Sequence, residues 1–372
     1  MTKSGYRHAE TAVATVGIAI LASAVAANQQ WLDRHFLPSF FLPRLWYTRL
    51  ETIVRAFLGT VGLFVAFVAR PYVARFLCRT PMRALQVALA AALALGASEL
   101  VLRRAHPRPT EWLAPDEEPQ RVADPRLGWV LAPSRTGYAV VGGRTVEYAT
   151  DASGYRVRRS DDPVDPERPT VLFVGESVMF GEGLAWDETI PAQVETMLGV
   201  QSANLAVHGY SNDQAYLRLE AELPRFRRPQ VVVALFMTAL FGRNLDDDRP
   251  HLGPGLEWLP AAPASRLASL AGLLVPYRTD ATVERGVQTT RAVLNAIVNL
   301  ARTRGAEPLV VVPQFGPEDP VEQALRRRVV GDGIPQLLVV VDAGWRLSWD
   351  RHPNAQADRT IAEAIAARLR RP

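Results

Sequence analysis

Residues Thr170–Leu184 read Thr-Val-Leu-Phe-Val-Gly-Glu-Ser-Val-Met-Phe-Gly-Glu-Gly-Leu. The first half is a β-branched and aromatic run bounded by Pro169 and Gly175, the pattern of a fully buried strand. The chain then turns at Gly175-Glu-Ser177 and reaches a helix entry at Asp187-Glu-Thr-Ile-Pro. A serine in such a turn stands at the carboxyl end of a sheet, the edge at which open α/β sheets bind ligands. By itself the triplet is also the signature of an ordinary turn. Its weight depends on a second stretch far downstream, Ser348-Trp-Asp-Arg-His-Pro-Asn354.

Outward from Thr170 the pattern alternates. Strands are expected at 171–174, 203–207, 231–236, 309–313 and 337–341, with helices at 189–198, 214–223 and 282–304. A last helix over 357–369 carries Ile361, Ala364, Ile365 and Leu369 at helical spacing. Buried strands alternating with helices predict a parallel sheet covered on both faces, a three-layer α/β fold. Ahead of it, 124–168 holds alternating runs at 137–141 and 144–148 around Gly142-Gly143, a hairpin signal. The expected organisation is a membrane region over 1–105, a Pro-rich linker and small β-rich lead-in over 106–168, and a catalytic domain over 169–372.

The N-terminal third is of another kind. The stretch 11–27 carries no charge, 52–69 carries only Arg55, and 84–102 only Glu99. These are candidate transmembrane helices, flanked by Trp31, Trp46, Tyr47 and Tyr72 as interfacial anchors. With Lys3 and Arg7 ahead of it, the first stretch also reads as a signal peptide, but two further spans follow, so cleavage would not release the protein. Arg70, Arg75, Arg79 and Arg83 are expected in one loop without acidic residues, on the side of Lys3 and Arg7. The positive-inside rule then puts the N-terminus in the cytoplasm and everything after Leu102 outside the cytoplasmic membrane, although Arg103, Arg104 and Arg108 pull the other way.

Composition narrows the chemistry. The formal charge of +4 comes from scattered arginines, with no basic stripe interleaved with aromatics, which argues against nucleic acid. The single Cys78 excludes an internal disulfide, and the six dispersed histidines form no metal pair. Gly181-Glu-Gly183 lacks the further glycines and lysine of a phosphate loop, so neither a metal nor a cofactor is expected.

What the pattern does offer is an activated serine. A serine hydroxyl needs a base to take its proton and a third group to orient that base. His352 and Asp350 follow the last strand and precede the last helix, which returns them to the edge carrying Ser177. Asn354 doubles as a helix cap. The N–H groups of Ser177 and of Gly209, after the second strand, are candidate oxyanion donors. His208 is a rival base, and Trp186, Trp258, Trp345 and Trp349 are aromatics for a pocket or the core.

Phe173-Val-Gly-Glu-Ser-Val-Met-Phe-Gly-Glu-Gly183, Asn204–Gln214 and Asp350-x-His352-Pro-Asn together resemble the blocks of the SGNH (GDSL-like) hydrolase superfamily over about 165–370. Leu127-Gly-Trp and Gly154-Tyr-Arg resemble the segment that precedes them in membrane-attached members. The resemblance implies a flavodoxin-like sheet and a metal-independent serine esterase or acyltransferase. In it Ser177 is the nucleophile, His352 the base, Asp350 its orienter and Gly209 an oxyanion donor. Three departures stand out. Glu176 replaces the usual Asp, Asp350 lies two residues before His352 rather than three, and no Gly-x-Asn-Asp block follows the third strand. In its place Asn244, or Thr238, is the candidate for the missing donor, in a loop that also holds Arg243, Arg249 and His251. The expected function is a membrane-anchored esterase acting on acyl esters of an envelope polysaccharide or lipid. O-acyl transfer, a non-catalytic binding module and a transport or assembly subunit are the alternatives.

Overall fold

The computed structural model describes residues 3–27, 44–105, 117–262, 265–269, 278–348 and 351–370. They fall into two compact units, one built from the N-terminal helices together with 265–269, the other from 117–262 and 280–370.

The first unit contains α1 (Lys3–Ala26), α2 (Arg44–Leu63), a π-helical turn over Phe64–Ala69, α3 (Arg70–Arg79) and α4 (Pro81–Ala105). Three stretches here are long and apolar enough to cross a membrane: Gly5–Ala26, Thr48–Arg79 and Pro81–Ala105. The arginine-rich segment expected as a loop is helical instead, and the break comes only at Thr80, before Pro81. The π-turn lies directly before Pro71, whose missing N–H interrupts the regular ladder while the helix carries on. The first two apolar stretches approach closely where each carries a glycine, Gly17 and Gly62. A Cβ on Gly17 would lie 2.5 Å from the Ala66 nitrogen, and one on Gly62 would lie 2.7 Å from the Leu21 nitrogen. Arg55 is held within the helices, its Nε donating to the Ala24 carbonyl at 2.9 Å.

Glu99, near the end of α4, accepts from the N–H groups of Arg266 and Leu267 at 2.9 and 3.0 Å and from the Ser265 hydroxyl at 2.9 Å. A short piece of chain from the far side of the sequence therefore joins the helical unit, which the sequence reading did not anticipate.

The second unit begins with a two-stranded ribbon, β1 (Arg121–Asp124) with β2 (Gly128–Leu131). Next come β3 (Arg135–Val141), β4 (Arg144–Thr150), β5 (Arg156–Val157), β6 (Pro169–Val174) and the one-turn helix α5 (Ser177–Phe180). α6 (Ile190–Leu198), β7 (Gln201–Asn204), α7 (Asn212–Glu222) and β8 (Arg228–Leu235) follow. A 3₁₀ segment over Thr238–Leu245 and the ribbon β9 (His251–Leu252) with β10 (Trp258–Leu259) come next. The chain closes with α8 (Asp280–Thr303), β11 (Glu307–Phe315), α9 (Pro320–Val329), β12 (Gln336–Val341) and α10 (Ala355–Leu369).

The main sheet runs β12-β11-β8-β6-β7-β5-β4-β3. Its five parallel strands, renumbered in chain order, stand 2-1-3-4-5, the flavodoxin-like order; four coincide with expected strands, and β7 overlaps the expected 203–207 only at 203–204. β6 is the centre, and Val171, Leu172, Phe173 and Val174 are each no more than 1% exposed. Fully burying such side chains stabilises by about 1.5–3 kcal/mol each. α6 packs against α10, and α7 against α8, which also meets β11 and α9. The hairpin around Gly142-Gly143 forms, and with β5 it continues the sheet antiparallel through Arg156 opposite Asn204.

In a 2-1-3 order the chain leaves neighbouring strands in opposite directions at the junction of β6 and β8, opening a crevice at their carboxyl ends. Ser177 follows β6 and Thr238 follows β8, so both stand at that crevice.

Candidate active site

Two residues, Gly175 and Glu176, separate Val174, the last of β6, from Ser177, the first of α5. Glu176 caps α5, its Oε2 accepting from the Val178 N–H at 3.2 Å. The same oxygen lies 2.6 Å from Ser177 Oγ, which donates to it. On its other side Ser177 Oγ lies 2.8 Å from His352 Nε2. One hydroxyl proton thus faces two acceptors. The carboxylate that reaches round the turn is the longer Glu176, where the resembling family has Asp. Both Ser177 and His352 are buried.

The His352 loop is braced at both ends. Leu347 N–H donates to the His352 carbonyl at 2.8 Å, Arg346 pairs with Pro353, and Asn354 N–H donates to the Trp345 carbonyl. Asn354 then caps α10 through the N–H groups of Gln356 and Ala357. Asp350 and Trp349 lie outside the described residues. His208, the rival base, sits with Nε2 3.7 Å from Glu117 Oε1 and its ring edge-on to Phe180, while His352 is the imidazole on the serine.

The loop after β7 is clamped from several directions. Val207 N–H donates to the Gly175 carbonyl, tying it to the nucleophile turn. Trp129 Nε1 donates to the His208 carbonyl at 3.1 Å, and Tyr210 Oη donates to the Trp129 carbonyl at 2.6 Å. Arg249 Nη1 donates to the Gly209 carbonyl at 2.7 Å. Gly209 has φ +81°, and a Cβ there would sit 3.1 Å from the Trp129 ring, so both conformation and space select glycine. Because Trp129 holds the His208 carbonyl of the same planar peptide unit, the Gly209 N–H is a fixed dipole. Neither it nor the Ser177 N–H has a hydrogen-bond partner among the described residues.

Asn244 is placed differently from the expectation. Its Oδ1 accepts from Asn212 N–H at 2.9 Å, and its Nδ2 donates to Asn212 Oδ1 at 2.9 Å and to Thr290 Oγ1 at 3.0 Å. An amide has two hydrogens, and here both are committed within the fold, so the geometry does not offer Asn244 as an oxyanion donor. Thr238, the other candidate, begins the 3₁₀ segment and lines a separate cavity.

Two arginines without an expected role are built into the site. Arg156 is 1% exposed, and its Nη1 donates to the carbonyls of Phe180 and Gly181 at 2.6 and 2.7 Å. Its Nη2 donates to the Leu184 carbonyl at 2.5 Å, and the rings of Tyr148 and Phe180 flank it. It closes the turn that ends the nucleophile helix, which Asn204 Nδ2 also contacts through the Met179 and Phe180 carbonyls. Burial lowers its pKa to about 10. Arg243 Nη1 lies 3.5 Å from Glu176 Oε2. Burial pulls its guanidinium below the usual arginine range, against the opposing pull of that carboxylate. The signal for Arg156 was the Gly154-Tyr-Arg segment, but sequence alone could not show which carbonyls it reaches.

Chemically, the arrangement places an imidazole against a serine hydroxyl at the head of a helix, with two backbone donors on adjoining turns. That can deprotonate the hydroxyl as it attacks an acyl carbon.

No family model matches the sequence, and no curated protein does. Among solved structures, the chain is similar to a lipolytic protein of the G-D-S-L family from Desulfitobacterium hafniense DCB-2. That likeness has 14% identity and a TM-score of 0.35 over 53% of this chain and 98% of the other. It is similar to TesA at 18% identity and TM-score 0.34, covering 54% and 98%. It is also similar to the salicylyl-acyltransferase SsfX3 at 17% identity and TM-score 0.32, covering 57% and 58%.

Proposed function

We propose that the chain is a membrane-anchored serine hydrolase of acyl esters. The observation that carries this reading is the 2.8 Å contact between His352 Nε2 and Ser177 Oγ at the crevice end of β6. Ser177 Oγ attacks the acyl carbon while its proton passes to His352 Nε2. The oxygen that becomes negative is held by the N–H groups of Ser177 and Gly209. His352 returns the proton to the departing alcohol, leaving an acyl-enzyme. Water, activated in turn by His352, releases the acid. Asp350, two residues before His352 in the chain, is the proposed orienter of the imidazole.

The three apolar spans anchor the protein in the cytoplasmic membrane as a multi-pass protein. The arginine distribution favours a catalytic domain on the outer side. An acyl ester of an envelope polysaccharide or lipid is the substrate class that location supplies. If a hydroxyl acceptor replaces water, the same steps make an O-acyltransferase.

A second reading, a binding module that retains the fold without turnover, draws on two observations: the committed amide of Asn244 and the Glu176 carboxylate competing for the serine proton. Fluorophosphonate labelling of the full chain in detergent separates the two. Labelling that disappears in both Ser177→Ala and His352→Ala supports the hydrolase, and a folded chain that does not label leaves the binding module.

A further inference from the structure

One strand along the same sheet edge from β6 lies a cavity that the proposed chemistry leaves unused. It measures about 100 Å³ and opens at the carboxyl ends of β8 and β11, walled by Thr238, Phe315, Glu318, Glu322, Arg346 and Arg351. Arg351 directly precedes His352, and Met237 contributes both to this cavity and to the small cleft floored by Gly175 and Glu176. The two spaces are therefore neighbours along one sheet edge.

Glu318 in the cavity wall is taken by Arg326 in a two-point ion pair, with Oε1 2.7 Å from Nε and Oε2 2.8 Å from Nη2. Glu322 is the remaining carboxyl of the lining, and burial, with Asp319 and Glu318 nearby, raises its pKa. Two guanidinium groups share the space. Arg346 stacks on Phe315 at 4.1 Å, and its Nη1 donates to the Arg351 carbonyl. The Arg351 side chain, by contrast, makes no hydrogen bond or ion pair among the described residues, and its Nε is buried without a partner. Burying a guanidinium nitrogen unpaired is unfavourable, and a planar fork of donors fits the two oxygens of an oxyanion group. Had Arg351 only a bracing role, its donors would point at backbone carbonyls, as those of Arg346 and Arg156 do.

We propose that this cavity is a subsite for an anionic group of the substrate, a carboxylate or a phosphate, with Arg351 as its principal ligand and Arg346 and Thr238 beside it. The proposal deepens the ester-hydrolase reading, since it names a feature of the substrate that the same crevice would select.

The test is isothermal titration of inorganic phosphate, acetate and neutral acetamide onto the full chain in detergent, with fluorophosphonate labelling of the same samples. The expected result is saturable binding of phosphate or acetate but not acetamide. Arg351→Gln should weaken it about tenfold, Arg351→Lys should restore part of it, and Glu322→Gln, which removes the opposing carboxyl, should tighten it. Tighter phosphate than acetate would mark a phosphate-bearing substrate, and the reverse a carboxylate. Absence of anion binding in a chain that labels overturns the subsite while sparing the hydrolase. Binding that is unchanged in Arg351→Gln, or equal for acetamide, overturns it too. Anion binding by a chain that does not label sinks the hydrolase and leaves the subsite standing.

Discussion

The loops leaving β7 and β8, the two strands that flank β6, are built to opposite plans. After β7 the backbone is what is held: Trp129 donates to the His208 carbonyl, Arg249 donates to the Gly209 carbonyl, and Tyr210 Oη donates back to the Trp129 carbonyl. After β8 the side chains turn inward and brace their neighbours: Asn244 on Asn212 and Thr290, Arg243 on Glu176, Arg249 on Gly209. Asn244, expected as a side-chain donor, braces Asn212 at the head of α7, and Arg249 of the same loop braces Gly209.

The comparison can be broken at several points. The largest effect belongs to the shared centre. Ser177→Ala or His352→Ala should lower ester turnover by about 10,000-fold, with the double variant no worse, because the pair acts as a unit. Additive losses in a kinetic comparison would mean the two side chains do not work together.

Arg156→Met removes a buried donor from the carbonyls of Phe180, Gly181 and Leu184, of which Phe180 keeps Asn204 Nδ2 and Gly181 keeps the Leu184 N–H. We expect a loss of about 3 kcal/mol or more in denaturant unfolding. A transition that does not move would show that the turn closes by other means.

Gly209→Ala tests the backbone plan. A left-handed φ costs a non-glycine residue about 1–2 kcal/mol, before the contact with Trp129 is added. The same substitution should slow fluorophosphonate labelling, whereas unchanged labelling would remove Gly209 from the oxyanion site.

Asn244→Ala sharpens the contrast most directly. Loss of a true oxyanion donor lowers kcat by about 100- to 1,000-fold. A brace instead costs about 1–3 kcal/mol of stability with kcat little changed, and that is the outcome expected here. The smallest effect is at the start of α10, where Asn354→Ala should cost about 1 kcal/mol through its lost cap, read as a shift in melting temperature.

Much of this was legible in the chain. Four of the five parallel strands showed because each holds a short run of Val, Leu or Phe, a local signal, whereas β7 (Gln-Ser-Ala-Asn) carries none and was placed only by the apolar residues that follow it. Ser177 and His352 showed because each sits in a dense motif. What stayed hidden depends on contacts distant in sequence. Gly154-Tyr-Arg could be quoted, yet nothing in one dimension says that Arg156 reaches Leu184. Asn244 looked available because a sequence does not count how many hydrogens of an amide are in use. Arg70–Arg79 looked like a loop because charge was read as punctuation, although no residue between Pro71 and Thr80 stops a helix.

The tie between Glu99 and residues 265–267 bears on how this protein would behave when nicked. The described chain passes between its two units three times, between 105 and 117, between 262 and 265, and between 269 and 280. A protease that cuts once between 106 and 116 severs the peptide link to the apolar helices without removing Ser265, Arg266 and Leu267 from the grip of α4. Such a cut should leave the half that carries Ser177 sedimenting with the apolar helices, as a clipped seam still held by a second row of stitches. Its release into the soluble fraction would mean that the second row is too weak to hold.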